Sequence, residues 1–212
     1  SKHVGTLVFS DLGITNYHKY GAKTSELIRP DLFNIGKIPK INHKGSNGSV
    51  LILGGWGNMQ GAGFLAGLAA ARTGVGKVFI CTPNANFRPM ELIGIDSKLE
   101  DLKSCLKEVN VVVAGPGLNE EADEHLHLVW KSKLPMVLDA YGLRWLAQNS
   151  LPKRTNNWIG TPHYGETIEL LGKYKTESNR FIQLSLLNKI YGGQWILKGP
   201  GTLVGPNPTY VN

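Results

Sequence analysis
Residues 49–55 read SVLILGG, a β-branched and leucine-rich run with no polar alternation. Such a run predicts a strand buried on both faces, as in the middle of a parallel sheet. MQGAGFLAGLAAARTG follows, with small and apolar residues at helical spacing and Gly74 placed as a C-cap. The same unit then recurs. KVFICTP predicts a strand, LEDLKSCLKEV an amphipathic helix, and NVVVAGPGL a third strand with a glycine turn. ADEHLHLVWKS predicts a helix and PMVLDAYGL a fourth strand. NWIGTPHYGETIELLG predicts strand, turn and helix, ESNRFIQLSLLNKIYG a helix, and QWILKGPGT the last strand. This alternation is the α/β signature: a mainly parallel central sheet with helices on both faces.

Composition sets outer limits. The chain has 212 residues, 42% apolar and 18% charged, an ordinary globular balance with room for one sizeable core. The longest apolar run, around Phe64 to Ala71, is broken by Gly67 and is far shorter than the ~20 residues of a membrane span, so no membrane is expected. The formal net charge of +7 suggests anionic partners. The basic residues are dispersed, with no run of five like charges and no aromatic-basic recognition motif, which argues for phosphorylated small molecules and against nucleic acid. Cys81 ends an apolar strand pattern and Cys105 stands apart, so both are expected as reduced thiols. With no basic-then-apolar leader pattern, the cytoplasm is the expected compartment.

Residues 1–42 differ from the rest. GTLVFSDLGI reads as a strand over Thr6 to Phe9 followed by a loop, and the stretch after it, rich in proline, glycine and lysine, has arm or linker composition. The division expected is an arm or linker over 1–42 and an α/β domain over 43–212.

In open α/β sheets ligands bind outside the carboxyl ends of the strands. Those ends read LGG, CTP, AGPGL, LDAYG, GTPHYGE and KGPGT. His43, Lys44, Gly45 and Gly48 precede the first core strand, where glycines permit either a tight turn or close approach to a ligand. GGWGNMQGAG opens a helix, whose amides attract phosphate, yet it has neither Walker nor dinucleotide spacing, and Gly61 to Gly63 also suit close helix–sheet packing. Gly115, Pro116 and Gly117 form a bare turn. His163 stands after a proline, with Thr161 as a candidate helix cap and Glu166 in the first helical turn. Asp139 is a strand-end carboxylate that suits metal binding, loop ordering or base chemistry. Lys198, with the amides of Gly199, Gly201 and Thr202, would make a cationic cradle for phosphate oxygens.

Taken in order, HKGSNGSVLILGG, MQGAGFLAGLAAARTGVGKV, VVVAGPGL, PMVLDAYGL, GTPHYGET and WILKGPGT resemble the NAD(P)H-hydrate dehydratase family, a branch of the ribokinase-like fold. The resemblance spans about residues 40–212, and GTLVFSDLGI looks like the junction after the epimerase domain of bifunctional members. It implies repair of nicotinamide cofactors: ADP or ATP phosphorylates the hydroxyl of the (S)-hydrate, phosphate leaves, and NAD(P)H is restored. It further implies that Ala62, Gly117 and His163 contact the hydrated cofactor and that Lys198, Gly199, Pro200, Gly201 and Thr202 hold the nucleotide. Mg²⁺ is expected with the phosphates, and a homo-oligomer is expected.

Three departures accompany the resemblance. The family's Asp-Ala-Asp appears here as Asp139-Ala140-Tyr141, and Gly63 replaces a small residue such as alanine. The family's Gly-Asp turn, whose aspartate is the catalytic base, is expected beyond Asn212. From this the chain reads as C-terminally incomplete or as a degraded paralogue, with no catalytic residue assigned and slower dehydration than a chain extended through that turn. The alternatives are a ribokinase-like kinase acting on a vitamin precursor or sugar, and a catalytically dead nucleotide-binding protein.

Overall fold
In the computed structural model, which describes residues 25–28, 47–83, 85–206 and 210–211, the SVLIL run is a strand, β2 (Ser49–Leu53), with every residue buried. It sits in a ten-stranded sheet. In chain order the other strands are β1 (Glu26–Leu27), β3 (Lys77–Cys81), β4 (Ile93–Ile95), β5 (Val111–Ala114), β6 (Met136–Leu138), β7 (Arg154–Gly160), β8 (Gly192–Leu197), β9 (Leu203–Gly205) and β10 (Tyr210–Val211). The spatial order is β1-β10-β9-β8-β7-β6-β5-β2-β3-β4. All pairs are parallel except β8–β9 and β9–β10.

Helices lie on both faces, as the alternation predicts. On one face α1 (Gln60–Arg72) packs through Phe64, Ala66, Ala70 and Ala71 onto Val50, Ile52, Val78 and Ile80. Gly67 lets this helix come close, because a Cβ there would lie 2.7 Å from a Leu92 methyl group. The other face carries α2 (Leu99–Cys105), α3 (Asp123–Ser132), α4 (Tyr141–Gln148), α5 (Tyr164–Leu171) and α6 (Arg180–Tyr191). Their apolar residues bury Leu51, Leu53, Val112, Leu138, Trp158 and Trp195. Trp158 stacks edge-on between Trp130 (5.3 Å) and Trp195 (5.0 Å). Gly160 is small because the Trp195 ring occupies the space its side chain would need.

Two readings of the strand boundaries are corrected. PMVLDAYGL is a strand only to Leu138; from Tyr141 it is α4, because Leu143, Trp145 and Leu146 recur at helical spacing and are buried together. QWILKGPGT is not the last strand, since the chain turns through the glycine loop into β9 and pairs back on β8. The strand over Thr6 to Phe9 and the residues His43 to Gly45 lie outside the described residues. Glu26 and Leu27, within the expected arm, pair in parallel with Tyr210 and Val211.

Cys81 and Cys105 are buried and free. Burial, with the neighbouring Cys105, pushes the Cys81 thiol up to about 12, and burial with the Glu108 charge pushes Cys105 up to about 11. Both therefore stay as unreactive thiols at neutral pH. No helix among the described residues is long and apolar enough to cross a membrane.

Candidate functional site at the carboxyl ends of the strands
β2 has β3 on one side and β5 on the other, so the connections leaving β2 and β5 diverge between them. Such a switch point opens a crevice at the carboxyl edge. Two backbone bonds fix its walls: the Gly55 N–H donates to Pro116 O (2.9 Å) and the Trp56 N–H to Gly117 O (2.7 Å). Gly117 has φ +66, and a Cβ there would lie 2.5 Å from Met59 O and 3.1 Å from the Ala62 Cβ. Glycine is thus required at 117, and Ala62 and Gly117 are neighbours.

Across the crevice stands His163. It, and not Thr161, is the N-cap of α5. Its Nδ1 accepts from the Glu166 N–H (3.3 Å), while its own N–H donates to Glu166 Oε2 (2.8 Å), a reciprocal capping box. Thr161 instead donates to Leu138 O. Accepting at Nδ1 places the hydrogen on Nε2, which lies 3.4 Å from Glu166 Oε1, and the side chain as a whole is 61% exposed. Gly117, Leu118, Ala140, Tyr141, Arg144, His163, Glu166 and Glu169 line one cleft of about 310 Å³.

Sequence reading did not single out Tyr141 or Arg144 as site residues. The Tyr141 hydroxyl donates to Asp123 Oδ1 (2.9 Å), and burial together with that bond pushes the phenol up to about 12. It stays a protonated donor where the resemblance has a second aspartate. Arg144 Nε faces Glu169 Oε2 at 3.3 Å on the cleft rim. Ala140, between strand and helix, has φ +48 and ψ −125, a strained backbone of the kind that gathers at functional turns.

Beside the cleft lies the glycine loop. The Lys198 N–H donates to Pro162 O (2.9 Å), and its Nζ donates to Asp139 Oδ1 (2.9 Å). So Asp139, left open between three roles by the sequence, is the partner of the loop's cation. Gly199 and Gly201 have φ of +145 and +62, and the Thr202 hydroxyl donates to Gly199 O (3.0 Å). The structure thereby places Gly117 and His163 on one cleft, with Ala62 packed behind Gly117, and sets Lys198 to Thr202 next to it, through Asp139 and Pro162. Gly48 is elsewhere: it turns, with φ +69, at the amino end of β2, far from the carboxyl edge.

Residues 50–210 match the family model described as NAD(P)H-hydrate dehydratase. A bifunctional NAD(P)H-hydrate repair enzyme of Coxiella burnetii is 40% identical over 172 residues, covering 76% of this chain and 35% of that protein. The ADP/ATP-dependent NAD(P)H-hydrate dehydratase of Bacillus subtilis, co-crystallised with ATP and Mg²⁺, superposes with a TM-score of 0.66 at 26% identity, over 83% of this chain and 67% of that one. A ribokinase-like superfamily protein of Enterococcus faecalis superposes with a TM-score of 0.74 at 20% identity, over 83% and 66% of the two chains, a likeness of fold. The chain spans about a third of the length of the first curated relatives it matches.

Proposed function
Since the chain belongs to the NAD(P)H-hydrate dehydratase family, we propose that it acts in the repair of hydrated nicotinamide cofactors, removing water from (S)-NAD(P)H hydrate at the expense of ADP or ATP. The observation that carries this is the adjacency of the cleft lined by Gly117 and His163 to the cationic glycine loop Lys198–Thr202, whose lysine bonds to Asp139 and Pro162, the chain neighbours of the cleft residues Ala140 and His163. A hydroxyl held in the first would face a phosphate held in the second.

In this reading each residue has a separate task. The bare backbone at Gly117 and the small Ala62 leave a flat wall for the hydrated ring. The Nε2–H of His163, which faces Glu166 Oε1 at 3.4 Å without ligand, would turn to donate to a carbonyl or phosphate oxygen. Lys198 and the amides of Gly199, Gly201 and Thr202 hold the nucleotide's phosphates, with Pro200 stiffening the turn. Among the described residues no group of three ligating side chains could hold a metal alone. Mg²⁺ would arrive on the nucleotide, keeping most of its ligands from phosphate and water, and Asp139 would be the carboxylate offered to it. The ion would neutralise phosphate charge. Residues 43–212 form the working domain in this proposal and 1–42 the arm. A cytoplasmic homo-oligomer completes it, consistent with two reduced thiols.

Titration calorimetry with ADP or ATP in magnesium, and separately with NADH hydrate, tests the reading. Binding of both is expected. Binding of nucleotide without hydrate would instead point to a kinase or a nucleotide-binding protein of the same fold.

His163 allows a finer test, because it is both cap and proposed ligand. Alanine should lose the capping box, about 1 kcal/mol, or roughly 2–4 °C in melting temperature for a chain of this size. Asparagine caps helices well but lacks the imidazole edge. His163→Asn should therefore recover the melting temperature and leave hydrate binding weak; recovery of both would reduce His163 to a cap.

A further inference from the structure
The glycine loop is organised from outside itself. Arg180, the first residue of α6, sends Nη1 to Pro200 O (2.7 Å) and Gly201 O (2.8 Å), and Nη2 to Leu197 O (2.8 Å). The Thr202 hydroxyl takes Gly199 O. Four carbonyls, of Leu197, Gly199, Pro200 and Gly201, are thus drawn to internal donors. The N–H groups of Gly199, Gly201 and Thr202 have no acceptor among the described residues. A loop of alternating peptide dipoles ordinarily shows an anion as many carbonyl oxygens as amides. Here the guanidinium takes three of the acceptors and the Thr202 hydroxyl the fourth, while the donors are left unclaimed.

We propose that Arg180 is the positioning residue of the nucleotide loop, a planar donor that sorts the loop's backbone polarity so that its amides are preset for phosphate. This rests on the reading of Lys198–Thr202 as the nucleotide loop and adds to it a residue 18 positions upstream of Lys198 that need not touch the ligand. Position 180 requires arginine because three acceptors on one rigid fork need donors fixed in one plane. Lysine offers a point charge on a flexible stem. Asn179 secures the base of the fork, its Oδ1 accepting from the N–H of Phe181 (3.0 Å) and Ile182 (3.4 Å) to cap α6. Gly199 packs against the guanidinium, a Cβ there standing in ordinary contact at 3.5 Å from Arg180 Nη2, and it is the φ of +145 that favours glycine.

The experiment compares Arg180→Ala and Arg180→Lys with the unsubstituted protein. It uses calorimetry for ADP, ATP and NADH hydrate, and hydrogen–deuterium exchange at the amides of 199, 201 and 202. Loss of charge-assisted bonds that preset the loop should weaken nucleotide binding about tenfold. Hydrate binding should hold, the protection that bound ADP gives the loop amides should fall, and lysine should not rescue. Added guanidinium should partly restore nucleotide binding to Arg180→Ala. Unchanged nucleotide affinity in Arg180→Ala, full rescue by lysine, or parallel loss of nucleotide and hydrate binding with the fold would each overturn the inference. Failure of the unsubstituted protein to bind either nucleotide would overturn the functional reading beneath it, and is distinguishable because it appears without any substitution.

Discussion

Alanine in place of Gly115 is expected to leave little folded protein. Gly115 follows β5 with φ +119, a conformation that side chains rarely adopt. Its added Cβ would stand 1.7 Å from Asp139 O, 2.8 Å from the Asp139 carbonyl carbon and 3.0 Å from the Gly142 N–H nitrogen. These are backbone atoms, so no rotamer change relieves the clash. The neighbouring segment cannot retreat cheaply either. Asp139 O accepts the Gly142 N–H (3.0 Å), the Asp139 N–H donates to Ala114 O (3.1 Å), and Ala140 between them already has a positive φ. Pushing β6 away would break its register with β5 and lift Leu138 from the core. The expected loss exceeds about 4 kcal/mol, the range that marks a named structural failure, against a total of roughly 5–15 kcal/mol for a typical domain. Urea unfolding of soluble protein measures it. Gly61→Ala is the control of opposite sign. Gly61 lies in α1, its added Cβ would meet nothing within 4 Å, and alanine in a helix should stabilise by about 0.5–1 kcal/mol. A Gly115→Ala protein unfolding with the parent would mean that the carboxyl ends of β5 and β6 are not crowded as described.

What the sequence disclosed and what it withheld divide along chain distance. The SVLIL run announced a central strand because burial on both faces removes any need for polar alternation. Gly117 and Gly199 were legible as turn glycines, since positive φ is a local demand. The capping of α5 was legible as well, but the cap was misplaced: Thr161 has the usual capping hydroxyl, yet that hydroxyl donates to Leu138 O just past the end of β7, and the cap is His163, two residues later. The helix from Tyr141 was hidden because LDAYGL opens as an apolar strand does and only LRWLAQ, further on, sets the helical period. β9 and β10 were missed because three- and two-residue strands carry no periodicity to read. The pairs that shape the site are the least local. Lys198 meets Asp139 across 59 residues, and Arg180 reaches carbonyls 17 to 21 residues away. Nothing in spacing or composition joins them; the parallel sheet does, by bringing the ends of β6 and β8 to one edge. The resemblance assigned Lys198 a ligand, but the partnership of that lysine with Asp139 is a fact of the fold alone.

That partner makes the consequences of Lys198→Ala separable. The lysine is 42% exposed and its acid partner 33%, so their ion pair belongs with surface bridges worth about 0–1 kcal/mol. The melting temperature should therefore barely move. Nucleotide affinity should fall far more. Phosphate would lose a charge-assisted hydrogen bond worth about 1.5–3 kcal/mol, which corresponds to roughly 10- to 100-fold in dissociation constant. It would also face Asp139 without the cation that screens it. Asp139→Asn separates the two contributions. It removes the carboxylate that competes with phosphate for Lys198 and leaves the lysine in place, so ADP and ATP should bind at least as tightly as to the parent when magnesium is absent. With magnesium present, any loss confined to Asp139→Asn would mark the carboxylate as a contributor to holding the ion. The double substitution Lys198→Ala/Asp139→Asn should recover part of what Lys198→Ala loses, because the repulsion goes while the missing bond does not return. Calorimetry on the four proteins, with and without magnesium, completes the cycle. Equal nucleotide affinity in all four would confine Lys198 and Asp139 to tying β8 to β6, and the phosphate site would have to be sought away from the glycine loop.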